Sequence, residues 1–321
     1  MQMNLKEAAE YIKKCNDVLI LTHQSPDGDT FGSAFALCRV LRSMGKNANV
    51  LCSDEFPKRY DFMYKDYVPQ KFSPQTIIAV DVADKKLLGK KLAQYGDFVN
   101  LCIDHHFSNM RYAENLLLDG NASATCELMY ELFSEMGAEI DKETAECIYT
   151  GIATDTGCFK YDNTTQRAHI IASELMEYNV SFAWINRRMF DVKSKERLRI
   201  EQFVTANMEL YLDERCALIA ITDDIIQQIG VAPEEFEGLA SLTLQLEGVE
   251  VGVTMKEREK GKFKVSMRSA SDVDVSEICS QLGGGGHVKA AGCLVEATEE
   301  QAKIQILRAV APSLGMDVWT V

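Results

Sequence analysis

Residues 17–45, DVLILTHQSPDGDTFGSAFALCRVLRSMG, join a short apolar run to an amphipathic segment through a turn rich in proline, glycine and aspartate. The apolar run at 17–22 is typical of a buried strand. Apolar residues then recur at helical spacing and Gly45 follows as a helix stop, so the pattern predicts a helix over 30–44. The stretch therefore predicts a strand, a tight turn and a helix, which is the repeating unit of an α/β sheet.

The rest of the first half continues this alternation of apolar strands and amphipathic helices. Strands are predicted at 46–52, 76–81 and 98–104, and helices at 124–136, 142–153 and 164–188. Strands separated by helices favour a mostly parallel sheet with helices on both faces. We expect the carboxyl ends of the strands to carry the ligand-binding residues, because open α/β sheets bind their ligands there.

The second half has a different pattern, which predicts a smaller α/β domain with a mixed sheet. Its strands are predicted at 216–222, 249–255 and 263–269, and its helices near 233–246, 273–282 and 298–311. A charge-rich helical segment at 193–209 lies between the two patterns. We therefore expect a first domain at 1–190, a linker helix at 191–210 and a second domain at 211–321.

Composition limits the classes of function. The 321 residues include 34 basic and 48 acidic side chains, and the formal charge of −14 argues against charge-driven binding of long nucleic acid. No apolar segment approaches the roughly 20 residues of a membrane span, and the N-terminus lacks the apolar core of a signal peptide. We therefore expect a cytoplasmic protein with no membrane partner. The ten cysteines are scattered singly, so they are interpreted as reduced, buried thiols.

The turn after the first strand, LTHQSPDGDTFGS, holds one histidine and two aspartates, which are His23, Asp27 and Asp29. Its Pro-Asp-Gly-Asp run predicts a tight loop in which these side chains converge on one point. A helix N-cap formed by Asp29 or Thr30 explains part of the pattern equally well. Both interpretations stay open when this segment is taken alone.

Further acidic and imidazole groups follow other apolar segments. Asp81 ends the TIIAV strand, where it can bridge two ions or begin a turn. Asp104, His105 and His106 follow the next strand, and because consecutive side chains diverge, one histidine should bind a metal while the other faces elsewhere. Asp155 ends an apolar helix in GIATDTGCF, where a carboxylate needs a partner.

Together these side chains predict a site for two metal ions. Four carboxylates would repel one another at close range, and two divalent ions would neutralise their four negative charges. These carboxylates belong to Asp27, Asp29, Asp81 and Asp155. Two ions ~3.5–4 Å apart can share a hydroxide, aim it at phosphorus and stabilise the leaving oxygen. A mixed carboxylate and imidazole ligand set favours Mn²⁺, with Mg²⁺ and Co²⁺ left open.

Two segments of the second domain have the chemistry to hold a phosphate. The glycines of GGGGH (283–287) would let backbone N–H groups approach an anion, with His287 as a further donor. In FKVSMRSAS, Arg268 lies on the open face of an alternating strand, and arginine is suited to phosphate. A flexible turn and a solvated strand residue are the plain alternatives for these two segments.

Two other polar segments are explained by helix capping. YDNTT (161–165) precedes a predicted helix, and we interpret it as structural. Ser123 and Thr125 lie in ASATCELMY at the start of another helix. Either side chain can face the site, but a helix N-terminus accounts for both.

The chain resembles the DHH phosphoesterases along essentially its whole length. The resemblance is carried by five motifs in the expected order, namely HQSPDGDT, the Asp81 strand end, DHH (104–106), TDTG (154–157) and GGGGH. Within that family the chain is most similar to small stand-alone oligoribonucleases that are also phosphatases of 3′-phosphoadenosine-5′-phosphate. The resemblance implies a catalytic, metal-binding domain at 1–190, a substrate-binding domain at 211–321 and a site between them.

The resemblance also implies a role for each site residue. His106 would lie beside the reacting phosphate and, with Asp81, count as catalytic. The ligands of one Mn²⁺ would be His23 and Asp27, those of the other Asp29, His105 and Asp155, with Asp81 as the bridge. The substrate would be bound by Arg268, Ser269, Gly285, Gly286 and His287.

The implied activity is hydrolysis of short oligoribonucleotides to 5′-mononucleotides and removal of the 3′-phosphate of 3′-phosphoadenosine-5′-phosphate, by attack of a metal-bridging hydroxide. A phosphodiesterase acting on cyclic dinucleotides or on pApA is the main alternative. An inorganic pyrophosphatase ranks lower because GGGGH replaces its basic signature, and a non-catalytic nucleotide-binding module ranks lower because no predicted ligand is missing. Short RNA or nucleotides are the expected partners, and a homodimer is left open beside a monomer.

Overall fold

The computed structural model describes residues 1–231, 236 and 238–317. The chain forms two compact units, Met1–Val192 and Lys193–Val321, which are described one at a time. Among the described residues, no helix is long and apolar enough to cross a membrane. The ten cysteines are free thiols and eight of them are buried, as the sequence indicated.

The first unit is built on a parallel sheet. Its strands are β1 (Val18–Leu21), β2 (Ala48–Leu51), β3 (Thr76–Val80), β4 (Leu101–Asp104) and β5 (Asn115–Leu118). The five strands are parallel, in the order β2-β1-β3-β4-β5, which confirms the predicted α/β fold class and the four predicted strands. The prediction lacks β5, because a run of four residues, NLLL, is too short for its pattern to identify a strand.

The first unit also contains most of the α-helical residues expected from the sequence. Its helices are α1 (Leu5–Lys14), α2 (Gly28–Ser43), α3 (Asp61–Tyr64), α4 (Thr125–Met136), α5 (Lys142–Asp155), α6 (Gln166–Leu175) and α7 (Phe182–Asn186). The helical run predicted at 164–188 is interrupted. After α6 and a 3₁₀ turn at Met176–Tyr178, Asn179 adopts a left-handed φ of 56°, which ends the helical path.

The two faces of the parallel sheet are covered differently. Successive strand residues point to opposite faces, so Ile20 packs into a core formed with α1, α2, α4 and α5, while Leu21 packs on the other side. That other side is covered by 3₁₀ turns at Lys85–Leu88 and Ala93–Phe98. The predicted helical layers are therefore α-helical on one face and 3₁₀ on the other.

Helices α2 and α5 cross at close range, which brings two predicted site residues together. A Cβ atom at Gly32 would lie 2.5 Å from the carbonyl oxygen of Cys147, and one at Gly151 would lie 2.8 Å from Oδ1 of Asp29. Larger residues at these positions would push the helices apart. Glycine thus allows Asp29, in the first turn of α2, to lie beside the end of α5 at Asp155.

The described part of the second unit forms a six-stranded mixed sheet with helices. Its strands are β6 (Glu209–Tyr211), β7 (Cys216–Ile221), β8 (Val251–Glu259), β9 (Lys262–Ser269), β10 (Gly285–His287) and β11 (Ala290–Glu296). Its helices are α8 (Lys195–Asn207), α9 (Asp223–Ile229), α10 (Ala240–Thr243), α11 (Val275–Gln281) and α12 (Glu299–Val310). The strand order is β10-β11-β9-β8-β7-β6, and β7 and β8 are parallel while the other pairs are antiparallel.

Two predictions for the second unit need comment. Of the helix predicted near 233–246, α10 forms the described part, and residues 232–235 and 237 lie outside the described residues. The flexible turn considered for GGGGH is instead, over Gly285–His287, a short edge strand. Glycine permits this close pairing, because a Cβ atom at Gly286 would lie 2.5 Å from Cα of Ala291.

Candidate metal centre

Side chains from four segments converge at the carboxyl ends of the parallel strands. Their potential ligand atoms form three overlapping groups, and within each group these atoms lie within 4.8 Å of one another. The groups are His23, Asp27 and Asp81; Asp29, His105 and Asp155; and Asp81, His105 and His106. The structure thus brings all six residues predicted as metal ligands into one cluster, together with His106, and their division between two ions stays a prediction.

Asp27 serves the helix and the site at once. Its Oδ1 accepts hydrogen bonds from the backbone N–H groups of Asp29 and Thr30, each at 3.1 Å, and so caps α2. Its Oδ2 lies 3.7 Å from Nε2 of His23. The interpretation that placed the N-cap at Asp29 or Thr30 is therefore wrong, because Asp27 is the N-cap residue. Capping uses one oxygen of the Asp27 carboxylate and leaves the other oxygen for the site.

Asp29 is fully buried and acts as the cap of another helix. The backbone N–H groups of Thr125 and Cys126, at the start of α4, donate to its two oxygens at 2.6 and 2.9 Å. The N-cap residue of α4, Ala124, has no side chain that could accept these bonds. The α4 N-terminus therefore fixes the Asp29 carboxylate and partly compensates its charge.

Asp81 is held by its backbone and by one side chain. It adopts a positive φ of 59°, an uncommon conformation for a residue other than glycine and one found at functional sites. The hydroxyl of Thr125 donates to its Oδ1 at 2.9 Å. From the sequence, a helix N-terminus was enough to explain both Thr125 and Ser123, so the contact between Thr125 and Asp81 was missed. The hydroxyl of Ser123 has a different partner, since it donates to the carbonyl oxygen of Asn163 at 2.7 Å.

The two histidines of the cluster are oriented by backbone carbonyl groups. Nδ1 of His23 donates to the oxygen of Gln24 at 2.7 Å, and Nδ1 of His105 donates to the oxygen of Ala122 at 3.1 Å. A carbonyl only accepts, so each ring proton is at Nδ1 in the neutral form and the Nε2 lone pair faces the carboxylates. Nε2 of His105 lies 3.3 Å from Oδ2 of Asp155.

This arrangement fits a cation. Nε2 of His105 is buried and has no hydrogen-bond partner among the described residues. Neutral imidazole lone pairs facing several carboxylates would be repelled, unless a proton or a metal ion lies between them. A ring whose Nδ1 donates to a carbonyl while Nε2 is free is how proteins hold metal-binding histidines. The donor set of carboxylate oxygens and imidazole nitrogens suits divalent first-row metals.

Without a metal, protons occupy the site. Burial lowers the pKa of His23, but Asp27 and Asp81 outweigh it and raise that pKa to about 11. Burial also lowers the pKa of His105, while its carboxylate neighbours, Asp155 first, raise it to about 10. Burial, together with the charges of nearby aspartates, raises the pKa of Asp29 well above its usual range. A bound cation would displace these protons.

His106 lies beside the cluster, and a hydrogen bond with Asp104 fixes its ring. Its Nδ1 donates to Oδ1 of Asp104 at 2.7 Å, and Oδ2 of Asp104 accepts from Nδ2 of Asn109 at 2.6 Å. The hydrogen bond with Asp104 raises the pKa of His106. The ring Nδ1 is 3.6 Å from Oδ1 of Asp81, so this histidine is next to the six residues while its Nε2 stays available.

The segment after α5 supports the site from outside. Thr165 caps α6, accepting from the N–H of Ala168 at 3.1 Å, which confirms the capping interpretation of YDNTT. Nδ2 of Asn163 donates to the carbonyl oxygen of Asp155 at 3.1 Å. This contact holds the end of α5 and with it the backbone of Asp155.

The residues predicted to bind substrate lie in the second unit. Arg268 is paired in register with Ala290, which is itself paired with His287. Directly opposed residues share a sheet face, so Arg268 and His287 lie in one row. Ser269 is buried on the other face, and its Oγ donates to the carbonyl oxygen of Ser271 at 2.9 Å. A contact between Ser269 and substrate stays a prediction.

Known proteins resemble the chain along nearly its whole length. The DHH family N-terminal domain matches residues 17–152 and the DHHA1 domain matches residues 219–311. The bifunctional oligoribonuclease and PAP phosphatase NrnA of Thermus thermophilus is 31% identical, over 97% of this chain and 94% of that protein. The cyclic-di-AMP phosphodiesterase GdpP of Geobacillus thermodenitrificans is 26% identical, over 94% of this chain and 48% of that protein.

A solved structure shows the same fold. An exopolyphosphatase-related protein from Bacteroides fragilis has a TM-score of 0.82 and 28% identity, with 95% of both chains covered. The chain belongs to the DHH family of phosphoesterases and is a hydrolase. Members of this family depend on divalent metal ions, and the cluster of aspartates and histidines is a place where such ions can be held.

Proposed function

We propose that the enzyme hydrolyses short oligoribonucleotides to 5′-mononucleotides and removes the 3′-phosphate of 3′-phosphoadenosine-5′-phosphate. The observation that carries the chemistry is the pair of imidazole Nε2 atoms, of His23 and His105, turned into a cluster of four carboxylates. The choice of substrate is supported by the likeness to the Thermus protein over 97% of this chain.

In this proposal the cluster would hold two Mn²⁺ ions. His23 and Asp27 would hold one of them, Asp29, His105 and Asp155 would hold the other, and Asp81 would serve both; the groups that these residues form support the division. Two ions bound there would supply a hydroxide nucleophile for phosphorus and would stabilise the leaving oxygen. Mixed oxygen and nitrogen ligands are the basis for proposing Mn²⁺ as the metal.

His106 is the protein group that acts on the reacting phosphate. Its bond to Asp104 fixes the ring, and Nε2 is left to donate to the phosphate. Because Asp104 raises the pKa of His106, the ring retains a proton that the leaving oxygen can take. Asp104 and Asn109 position this ring without contacting the substrate themselves.

The second unit binds the remainder of the substrate in this proposal. The residues concerned are Arg268, Ser269, Gly285, Gly286 and His287. Catalysis belongs to a domain at 1–190 and recognition to a domain at 211–321, joined by a linker helix at 191–210. The substrates are short RNA fragments and nucleotides in the cytoplasm, and a homodimer stays open beside a monomer.

A product-resolved hydrolysis panel in Mn²⁺ tests this function. It contains short 5′-labelled RNA, 3′-phosphoadenosine-5′-phosphate, pApA and cyclic di-AMP. We expect mononucleotides from RNA and phosphate from 3′-phosphoadenosine-5′-phosphate, both abolished by Asp81→Asn. The matched control is Asp97→Asn, which changes an exposed carboxylate paired with Lys85 and should retain both activities. Release of neither product by the wild type contradicts the proposal.

A phosphodiesterase acting on cyclic di-AMP or pApA is the second candidate. It is favoured by the likeness to the Geobacillus protein along 94% of this chain. Turnover confined to pApA or cyclic di-AMP in the same panel would support this candidate against the first. Both candidates use the same metal cluster, so only the substrate distinguishes them.

A further inference from the structure

The turn that follows strand β4 carries an exposed aromatic side chain beside the metal centre. Phe107 comes directly after His106 and is 93% exposed, which makes it the most exposed large apolar side chain among the described residues. Met110, three residues further on, is exposed as well. Single exposed apolar side chains are common on protein surfaces, and what sets Phe107 apart is its place and its rigid support.

The backbone that carries Phe107 is fixed by the same residues that hold the ring of His106. The N–H of Asn109 donates to the carbonyl oxygen of His106 at 3.0 Å, which closes a β-turn with Phe107 as its second residue. The side chain of the same Asn109 donates to Asp104, and Asp104 accepts from the ring of His106. The two neighbouring side chains, Phe107 and His106, therefore share one anchored support.

A glycine leaves room for the aromatic ring. A Cβ atom at Gly120 would lie 3.2 Å from Cδ2 of Phe107 and 3.4 Å from its Cα. The ring thus lies alongside the backbone at Gly120, where a larger residue would crowd it. An aromatic side chain that is placed before a ligand arrives loses little conformational entropy when the ligand binds.

A flat apolar ring next to a phosphate site suits a nucleobase. Every base has an apolar π-face, and an aromatic side chain stacks on that face without reading the hydrogen-bonding edge of the base. Consecutive Cα atoms are ~3.8 Å apart, so Phe107 is one residue away from the histidine assigned to the reacting phosphate. The base on the nucleoside that carries this phosphate is the apolar part of the substrate within reach of the ring.

We propose that Phe107 stacks on the base of the nucleoside whose phosphate is hydrolysed. The inference rests on the proposed function for the nature of the substrate, and it adds a specificity residue to the unit that holds the metal cluster. Stacking tolerates any base, but a purine offers the larger surface. The enzyme therefore prefers nucleotides over phosphoesters without a base, and purine nucleotides over pyrimidine nucleotides.

The test compares 3′-phosphoadenosine-5′-phosphate with its base-free analogue, in which hydrogen replaces the adenine. The measured quantity is the ratio of kcat/KM for the nucleotide over kcat/KM for the analogue. In Phe107→Ala we expect this ratio to fall by about tenfold, because the stacking contact with adenine is lost. Phe107→Tyr should keep most of the ratio, whereas Phe107→Leu, apolar but not planar, should lower it. Phe107 is exposed, so these replacements leave the fold intact.

Phe98→Ala is the matched control. Phe98 is also exposed, but it precedes β4 whereas Phe107 follows it, so it lies at the opposite end of the strand from the metal cluster. A ratio in Phe107→Ala equal to those of the wild type and of Phe98→Ala overturns the proposal. An unchanged ratio together with a changed oligomeric state also overturns it, and identifies the ring as a contact between copies of the chain.

A binding measurement separates this proposal from the proposed function. Equilibrium binding of adenosine 5′-monophosphate to the full chain in Mn²⁺ is compared with binding of ribose 5-phosphate, which has no base. If the wild type hydrolyses no nucleotide, the proposed function fails, yet weaker binding of the adenosine nucleotide by Phe107→Ala than by Phe98→Ala, with ribose 5-phosphate unaffected, still supports stacking. Equal binding of the adenosine nucleotide by the two variants overturns it.

Discussion

The hydroxyl of Thr125 donates a hydrogen bond of 2.9 Å to Oδ1 of Asp81, and both side chains are buried. Asp81 belongs to two groups of potential metal ligands, one with His23 and Asp27 and one with His105 and His106. The backbone N–H of the same Thr125 donates to Asp29 at 2.6 Å. One residue at the start of α4 therefore orients two carboxylates, Asp81 and Asp29, that belong to different ligand groups.

Replacing Thr125 should weaken metal binding. Thr125→Val keeps the shape and removes the hydroxyl, so Asp81 loses the bond that fixes its orientation. We expect Mn²⁺ affinity to fall by about tenfold or more, as is usual when a partner of a metal ligand is removed. Titration of the metal-free protein with Mn²⁺ measures this. Thr125→Ser should keep most of the affinity, and a Thr125→Val protein that binds like the wild type contradicts the assigned role.

Gly151→Ala should damage the site through the crossing of α2 and α5. The new methyl group would overlap Sγ of Cys126 in α4 and would lie 2.8 Å from Oδ1 of Asp29, so these side chains or the helix must move. We expect loss of stability by about 1–3 kcal/mol, which is typical of overpacking, together with loss of metal binding. Thermal unfolding and Mn²⁺ titration measure the two effects. Glu143→Ala, in the first turn of α5, is the control, and wild-type metal binding by Gly151→Ala would count against this packing argument.

Metal affinity should rise with pH. In the metal-free protein the pKa of His23 is about 11 and that of His105 about 10, so both rings hold protons through the neutral range. Metal binding must release them, and the apparent affinity should increase by about tenfold per pH unit for each proton displaced, from about pH 7 to about pH 9. Calorimetry in buffers of different ionisation enthalpy counts the protons. Affinity that does not change with pH would exclude this linkage.

Asp155→Asn should separate stability from function. The pKa of Asp155 is raised, by burial first and then by the charge of Asp81 against the opposing effect of His105. A carboxyl with a raised folded-state pKa costs stability when ionised; the cost is fully present above its folded pKa and disappears as the pH falls through that value to below its unfolded pKa. At neutral pH the metal-free variant should therefore unfold at a Tm at least equal to that of the metal-free wild type.

With Mn²⁺ the order of these two proteins should reverse. Ligand binding stabilises the wild type by about 2.7 kcal/mol at a hundred times the dissociation constant, and the variant has lost a ligand. Thermal unfolding with and without Mn²⁺ gives the comparison. A metal-free Asp155→Asn protein that is clearly less stable than the wild type would show that the carboxylate stabilises the empty site.

The sequence predicts the parallel sheet and the convergence of the site because both are encoded locally. The apolar run before His23 and the turn that follows it identify a strand end, and Asp81 and His105 each follow a strand in the same way. The carboxyl ends of parallel strands meet at one edge of the sheet, so finding a polar residue directly after each predicted strand is enough to predict that these residues lie close together.

Other features depend on contacts between distant segments. That the Thr125 hydroxyl reaches Asp81, 44 residues away, follows from the packing of α4 and has no local signal. The same holds for the carbonyl oxygen of Ala122 that orients His105. The register of β8 and β9, which pairs Lys256 with Lys264 across a hairpin, is likewise not encoded in either strand alone. Sequence alone shows these residues only as alternating polar positions.

The most direct test of the account is the number of Mn²⁺ ions bound by the full chain, measured by equilibrium binding alongside hydrolysis of 3′-phosphoadenosine-5′-phosphate. We predict two ions per wild-type chain, and for Asp81→Asn the loss of at least one ion together with the loss of hydrolysis. A wild type that hydrolyses the nucleotide with fewer than two ions, or an Asp81→Asn protein that keeps both ions and full activity, would contradict the shared-carboxylate centre.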